Sequence, residues 1–162
     1  MAVHMLKAVQ KIPGSINEIW NFFAQPGNLA KITPAGMDFR IISEWNEGDL
    51  YPGQIIEYTV RPLLGISVYW MTEITQVRHE SFFIDEQRKG PYALWHHQHH
   101  FETIEGGVKM TDLVHYNNPL GFLGEIANVI LVKKKLKDLF EYRVGKIEEQ
   151  FGKWDGGSVE IR

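Results

Sequence analysis

Residues 37–116 constrain this chain more than any other stretch. Short runs rich in β-branched and aromatic side chains fall near 38–45, 53–61, 66–77, 81–88, 93–104 and 108–116. Turn residues separate them: Glu47-Gly48-Asp49, Leu64-Gly65, His79-Glu80, Gly90-Pro91 and Gly106-Gly107. Consecutive strands joined by short turns pair as an antiparallel meander. Such a sheet has one apolar face that must be covered. The chain offers a single long cover. After Pro119, Gly121 and Gly124, residues 125–151 carry a helical apolar stripe of Ile126, Val129, Ile130, Leu136, Leu139, Phe140, Val144, Ile147 and Phe151.

Ahead of the meander, residues 4–12 alternate as a first strand, and Pro13-Gly14 ends it. Ser15 and Glu18 have capping-box spacing, and Ile16, Ile19, Trp20 and Phe23 follow at helical period. Pro26-Gly27 breaks this helix, and a second short one is expected near 28–32. The fold class is therefore α+β, with two short helices after the first strand, seven strands in all and one long final helix. With 162 residues the chain suits a single domain over 1–152, and 153–162, containing Gly156-Gly157, is expected to be a flexible tail.

The net charge of −3 gives no basic face for nucleic acid. There is no Cys, which removes disulfides and thiolate chemistry and suits a reducing, cytoplasmic setting. The first residues lack the pattern of a signal peptide, and the apolar run at 126–132 is too short to span a bilayer. Leu120 to Leu123 beside Lys133 to Lys137 leaves open a membrane-surface contact.

The last hairpin allows a register argument. A two-residue Gly106-Gly107 turn sets Glu105 against Val108. Counting back puts Phe101 against Asp112, His99 against Val114 and His97 against Tyr116. One face then holds Trp95, His97, His99, Phe101, Met110, Asp112, Val114 and Tyr116. The opposite face holds His96, Gln98, His100, Glu102, Thr111, Leu113 and His115. The first is the apolar one and should point inward. His97 and His99 then stand about 7 Å apart along the strand, with Asp112 diagonal to His99. Three such groups on a concave apolar surface need partners, because a buried unsatisfied polar group costs about 1–3 kcal/mol. They can satisfy one another and fix strand register, contact a polar group on a ligand, or act as a His–Asp acid–base pair. His-x-His with one carboxylate is also a permissible metal set. With no fourth ligand evident, the sequence predicts no metal and no cofactor.

The element order resembles the helix-grip fold of START lipid-binding domains, the birch-pollen (Bet v 1-like) allergen group and polyketide cyclases, together the SRPBCC superfamily. The resemblance runs over 11–151. Trp70-Met71-Thr72-Glu73-Ile74-Thr75, Asp85-Glu86-Gln87, Gly90-Pro91-Tyr92, the segment from Trp95 to Phe101, and Met110-Thr111-Asp112 look like a bacterial ligand-binding branch of it. It implies a curved seven-stranded antiparallel sheet wrapped around the long C-terminal helix, with a cavity between them. It also turns Trp70, Thr72, Ile74, Phe83, Asp85 and Gln87 inward, a phase that periodicity leaves open. Extended through Leu64-Gly65, that phase points Glu57 and Arg61 inward as well.

On this reading the sheet contributes Trp70, Asp85, Gln87, Trp95, His97, His99, Asp112 and Tyr116 to a ligand site. The helix contributes Ile130, Leu136 and Phe140. The expected function is binding or carrying a small hydrophobic, aromatic or lipid-like molecule, since no complete catalytic motif is present. The rival is a cyclase- or aromatase-type enzyme without metal, with His97, His99 and Asp112 as catalytic acid–base groups. A third reading is a solid-packed module that dimerises through Tyr58, Val60, Tyr69 and Met71. Elemental analysis after dialysis against a chelator is expected to find no stoichiometric metal; about one zinc or iron per chain would contradict the ligand count.

Overall fold

The chain leaves its first strand through Pro13-Gly14, and the following helix begins where its backbone donors find side-chain acceptors. Ser15 Oγ accepts from Glu18 N at 3.3 Å, and Glu18 Oε2 accepts from Ser15 N at 3.1 Å. This is the capping box that the spacing predicts. The computed structural model describes residues 3–44, 48–61, 66–119, 131–154, 156 and 158–162. In order they form β1 (His4–Pro13), α1 (Ile16–Phe23), α2 (Pro26–Leu29), a 3-10 turn (Ala35–Met37), β2 (Arg40–Ile41) and β3 (Ile55–Val60). There follow β4 (Val68–Arg78), β5 (Phe82–Lys89), β6 (Leu94–Ile104), β7 (Gly107–Asn117), α3 (Lys133–Phe151) and β8 (Ser158–Ile161).

All eight strands join one sheet in the order β2-β3-β4-β5-β6-β7-β1-β8, and every pairing is antiparallel. The meander is as expected, and β1 returns to close on β7. The eighth strand corrects the sequence reading. Part of the tail expected to be loose pairs with β1, Leu6 against Ile161 and Ala8 against Val159. Trp154, just before it, packs over Gly106 and Gly107 in the β6–β7 turn. The long helix is described from Lys133; its expected first turns, with Ile126, Val129 and Ile130, lie outside the described residues, as do Leu64-Gly65 and Leu120 to Leu123.

The turn between β6 and β7 also differs. Ile104 opposes Gly107, so the turn residues are Glu105-Gly106, with Gly106 at φ 82°. A Cβ on Gly107 would run into the Ile12 carbonyl and the Trp154 ring, so that residue belongs to the close-packed strand. Moving the turn back one residue shifts every pairing by two but keeps each side chain on its expected face. Phe101 therefore opposes Met110, His99 opposes Asp112, and His97 opposes Val114.

Burial settles the phase of the middle strands. Trp70, Thr72, Ile74 and Phe83 are buried, as the resemblance implies. The extension to β3 fails, because Tyr58 pairs with Trp70 and Ile56 with Thr72. Ile56, Tyr58 and Val60 therefore face in, and Glu57 faces out, where the Tyr69 hydroxyl donates to it. Arg61 lies past the end of β3, pairs with Asp38 at 3.2 Å and, as expected, lines the cavity. Tyr58 and Val60 thus have no place on an exposed dimerisation face.

Two apolar clusters fill the space between sheet and helices. One gathers Ile12, Ile19, Trp20, Phe83, Phe101 and Ile147; the other gathers Leu6, Trp70, Trp95, Tyr116, Leu136 and Phe140. Helix α3 spans both, with Leu136, Phe140 and Ile147 buried. Gln10 Nε2 donates to the Val144 carbonyl at 3.0 Å, which fixes the helix against β1. Phe101, 6% exposed, packs on Trp20 and Phe83. Phe101→Asp should cost more than about 3 kcal/mol, whereas His100→Asp on the outer face should cost less than about 1 kcal/mol. Denaturant melts of the two variants check this, and the reverse order would contradict the assigned faces.

Candidate functional site

Where the two apolar clusters meet, three neighbouring strands turn charged side chains inward. Asp85 comes from β5, His97 and His99 from β6 and Asp112 from β7. Register brings them together, since Asp85 pairs with His97 and His99 with Asp112. His97 Nε2 is 2.9 Å from Asp112 Oδ1 and its Nδ1 is 3.4 Å from Asp85 Oδ2. His99 Nε2 is 2.9 Å from Asp85 Oδ2. Its Nδ1 lies 2.9 Å from Asp112 Oδ1, off the direction of a hydrogen bond. The result is a closed box in which each imidazole stands between two carboxylates. The two rings are 3.8 Å apart between centroids, and the outer face of His99 stacks on Phe83 at 4.1 Å.

The electrostatics follow from this crossing of charges. Burial opposes ionisation of Asp112, yet its hydrogen bond to His97 and the close imidazoles of His97 and His99 hold its carboxyl well below the ordinary range. Asp85 is lowered in the same way, against burial, by His97 and His99. The two imidazoles diverge. His97 is lowered by burial and by the charge of His99, while His99 is raised, against burial, by both carboxylates. The box thus favours one imidazolium between two carboxylates, with the second imidazole neutral.

A cavity of about 570 Å³ opens beside the box, between the sheet and α3. Of the expected ligand residues, Trp70, Asp85, Trp95, His97, His99, Asp112, Leu136 and Phe140 line it. Gln87 and Tyr116 do not line it. The Gln87 amide bonds the backbone of Tyr92, donating to its carbonyl at 2.7 Å and accepting from its N–H at 3.2 Å, so it shapes the β5–β6 loop. Tyr116 is fully buried in the core behind Trp95 and Tyr92. Ile130 lies outside the described residues.

Further polar residues reach the cavity, among them Thr72, which the resemblance turned inward, and Tyr58 and Arg143, which were not foreseen there. The hydroxyls of Tyr58 and Thr72 share a hydrogen bond at 3.2 Å, and burial raises the Tyr58 phenol. Arg143 lies over the Phe140 ring at 5.0 Å, and its Nε is buried without a hydrogen-bond partner. Burial lowers its pKa, while Asp112 and Asp85 hold it up. The signal was in the sequence: Leu136, Phe140, Arg143 and Ile147 form one helical stripe, and three of its four members are apolar.

Asp85, His97 and His99 bring one ligand atom each within 4.8 Å of one another, so they could hold a single divalent ion. Such an ion would have to displace the hydrogen bonds of the box. Around the helix start, Lys134 pairs with Asp138 at 2.8 Å and Lys137 with Glu141 at 3.6 Å, which offsets part of the basic cluster. No helix among the described residues is long and apolar enough to cross a membrane.

No family model matches the sequence. No curated protein matches it either. Solved structures match the fold over nearly its whole length. A START superfamily protein of Mycobacterium smegmatis is 12% identical, with TM-score 0.66, covering 91% of this chain and 99% of that one. The major latex-like protein 151 of Panax ginseng is 15% identical, with TM-score 0.65, covering 92% and 97%. A Chromobacterium violaceum protein reaches TM-score 0.70 at 8% identity, covering 93% and 98%. At such identities the likeness shows the fold alone, and that fold is the helix grip.

The box should govern acid stability. A carboxyl held below its unfolded value stabilises the fold above about pH 4, and that contribution fades as pH falls from there. Asp112→Asn is expected to cost about 3 kcal/mol at neutral pH and to flatten the loss of stability on acidification. Melts between pH 2 and 7 measure both. An unchanged acid limb in the variant would mean that Asp112 is not ionised within the box.

Proposed function

We propose that this chain binds and carries a small, ring-bearing apolar molecule between its sheet and α3, with no covalent step. The observation that carries the reading is the open cavity of about 570 Å³ walled by Trp70, Trp95, Leu136 and Phe140. Sites for small molecules combine such walls with a few fixed polar groups, here the box, Tyr58 and Arg143. Removing about 200 Å² of apolar ligand surface from water would contribute about 5 kcal/mol before association costs.

A second reading is an acid–base enzyme of the cyclase type that uses the same box. All four imidazole nitrogens lie within 3.4 Å of a carboxylate oxygen. The Nε2 atoms of both imidazoles are already hydrogen-bonded to carboxylates, so a substrate proton would have to compete with those partners there, which favours binding over turnover.

The neutral dye phenylnaphthylamine should bind near one per chain and quench Trp fluorescence. Trp95→Ala should weaken that binding about tenfold, since a buried aromatic wall contributes on the order of 1–2 kcal/mol. His99→Ala should weaken ligands bearing a hydroxyl or carbonyl more than those without one. Absence of saturable dye binding would overturn the carrier reading.

A further inference from the structure

The cavity holds unpartnered polar groups, and two of them are donors only. The Arg143 Nε is buried with no acceptor, and the Trp70 Nε1 is buried with no acceptor. Both side chains line the same cavity, Arg143 from α3 and Trp70 from β4. Guanidinium and indole can give hydrogen bonds but not receive them, so the missing partner is an acceptor. Water or a protein carbonyl would ordinarily fill such a need, because buried donors are almost always paired.

The nearby carboxylates do not meet it. Asp85 and Asp112 are close enough to act on the charge of Arg143, yet each is held by the imidazoles of His97 and His99. Neither forms an ion pair with the guanidinium among the described residues. Arg143 is also held in place rather than loosely directed. Its guanidinium lies over the Phe140 ring, and the next residue, Val144, is pinned by Gln10 through its carbonyl. A guanidinium fork fixed beside aromatic walls matches an oxyanion on a ring-bearing molecule.

We infer that the ligand carries an oxyanion, a carboxylate in the simplest case, and that Arg143 is the residue that holds it. The inference rests on the cavity being a binding site and adds the chemical class of its occupant. Trp70 supplies a second donor on the sheet side. The apolar body of the ligand lies along Trp95 and Leu136.

Two dyes that share one ring system test this: anilinonaphthalene sulfonate, which bears an oxyanion, and phenylnaphthylamine, which does not. The intact protein should bind the sulfonate at least about tenfold more tightly. Arg143→Met should reduce sulfonate affinity about tenfold or more while leaving phenylnaphthylamine within about threefold, and Arg143→Lys should restore part of the loss. Melting curves of both variants confirm that they fold. Equal affinity of the intact protein for the two dyes would overturn the inference while leaving the carrier reading in place. So would an Arg143→Met variant that keeps the ratio of the two affinities. If the intact protein binds neither dye, the carrier reading fails and takes this inference with it.

Discussion

Two aspartates and two histidines facing one another on the concave side of the sheet set the conditions for the rest of the molecule. A buried carboxylate without a partner costs several kcal/mol, so Asp85 and Asp112 bind β5, β6 and β7 into the one register in which His97 and His99 stand between them. A slip of one residue in β6 would send both imidazoles to the outer face and leave both carboxylates unpaired. The box also divides the interior. Apolar clusters lie on either side of it, and α3 packs against both, through Leu136 and Phe140 at one and Ile147 at the other. Phe140 of α3 meets the His97 ring edge-on at 5.8 Å, and the cavity lies beside that contact.

That cavity is the site of the proposed binding. The surrounding walls are rings and aliphatic side chains, with Trp70 and Trp95 edge to face at 5.3 Å and Tyr58 stacked on Trp70 at 5.8 Å. Polar groups enter at separate points: the box on the sheet, the linked hydroxyls of Tyr58 and Thr72, and the guanidinium of Arg143 on the helix. The box is largely self-satisfied, whereas Arg143 and Trp70 still lack acceptors.

Much of this was legible because alternation is a strong signal when both faces differ in polarity. The β6–β7 hairpin announced its inner face, and the separation of Trp95, His97, His99 and Phe101 from their neighbours survived a misplaced turn. The exact register did not survive, because two adjacent glycines offer two turns and only packing against Ile12 and Trp154 chooses between them. Glu57 was misdirected because its phase was carried across a loop from β4, and parity is lost across a connection of unknown length. Arg143 was passed over because a charged residue on a helix reads as solvent-facing until the stripe around it is counted. The tail read as loose because four residues are too few for a periodic signal, and only the free edge of β1 gives them a partner.

The central claim is that the space between α3 and the box is an open binding cavity. Two-dimensional NMR of the amide and indole N–H groups during titration with a neutral naphthalene derivative tests it most directly. The account predicts saturable shifts concentrated on the indoles of Trp70 and Trp95 and on the amides around Leu136 and Phe140, with Trp20 little affected. Shifts confined to the outer face of the sheet, or none at all, would contradict it.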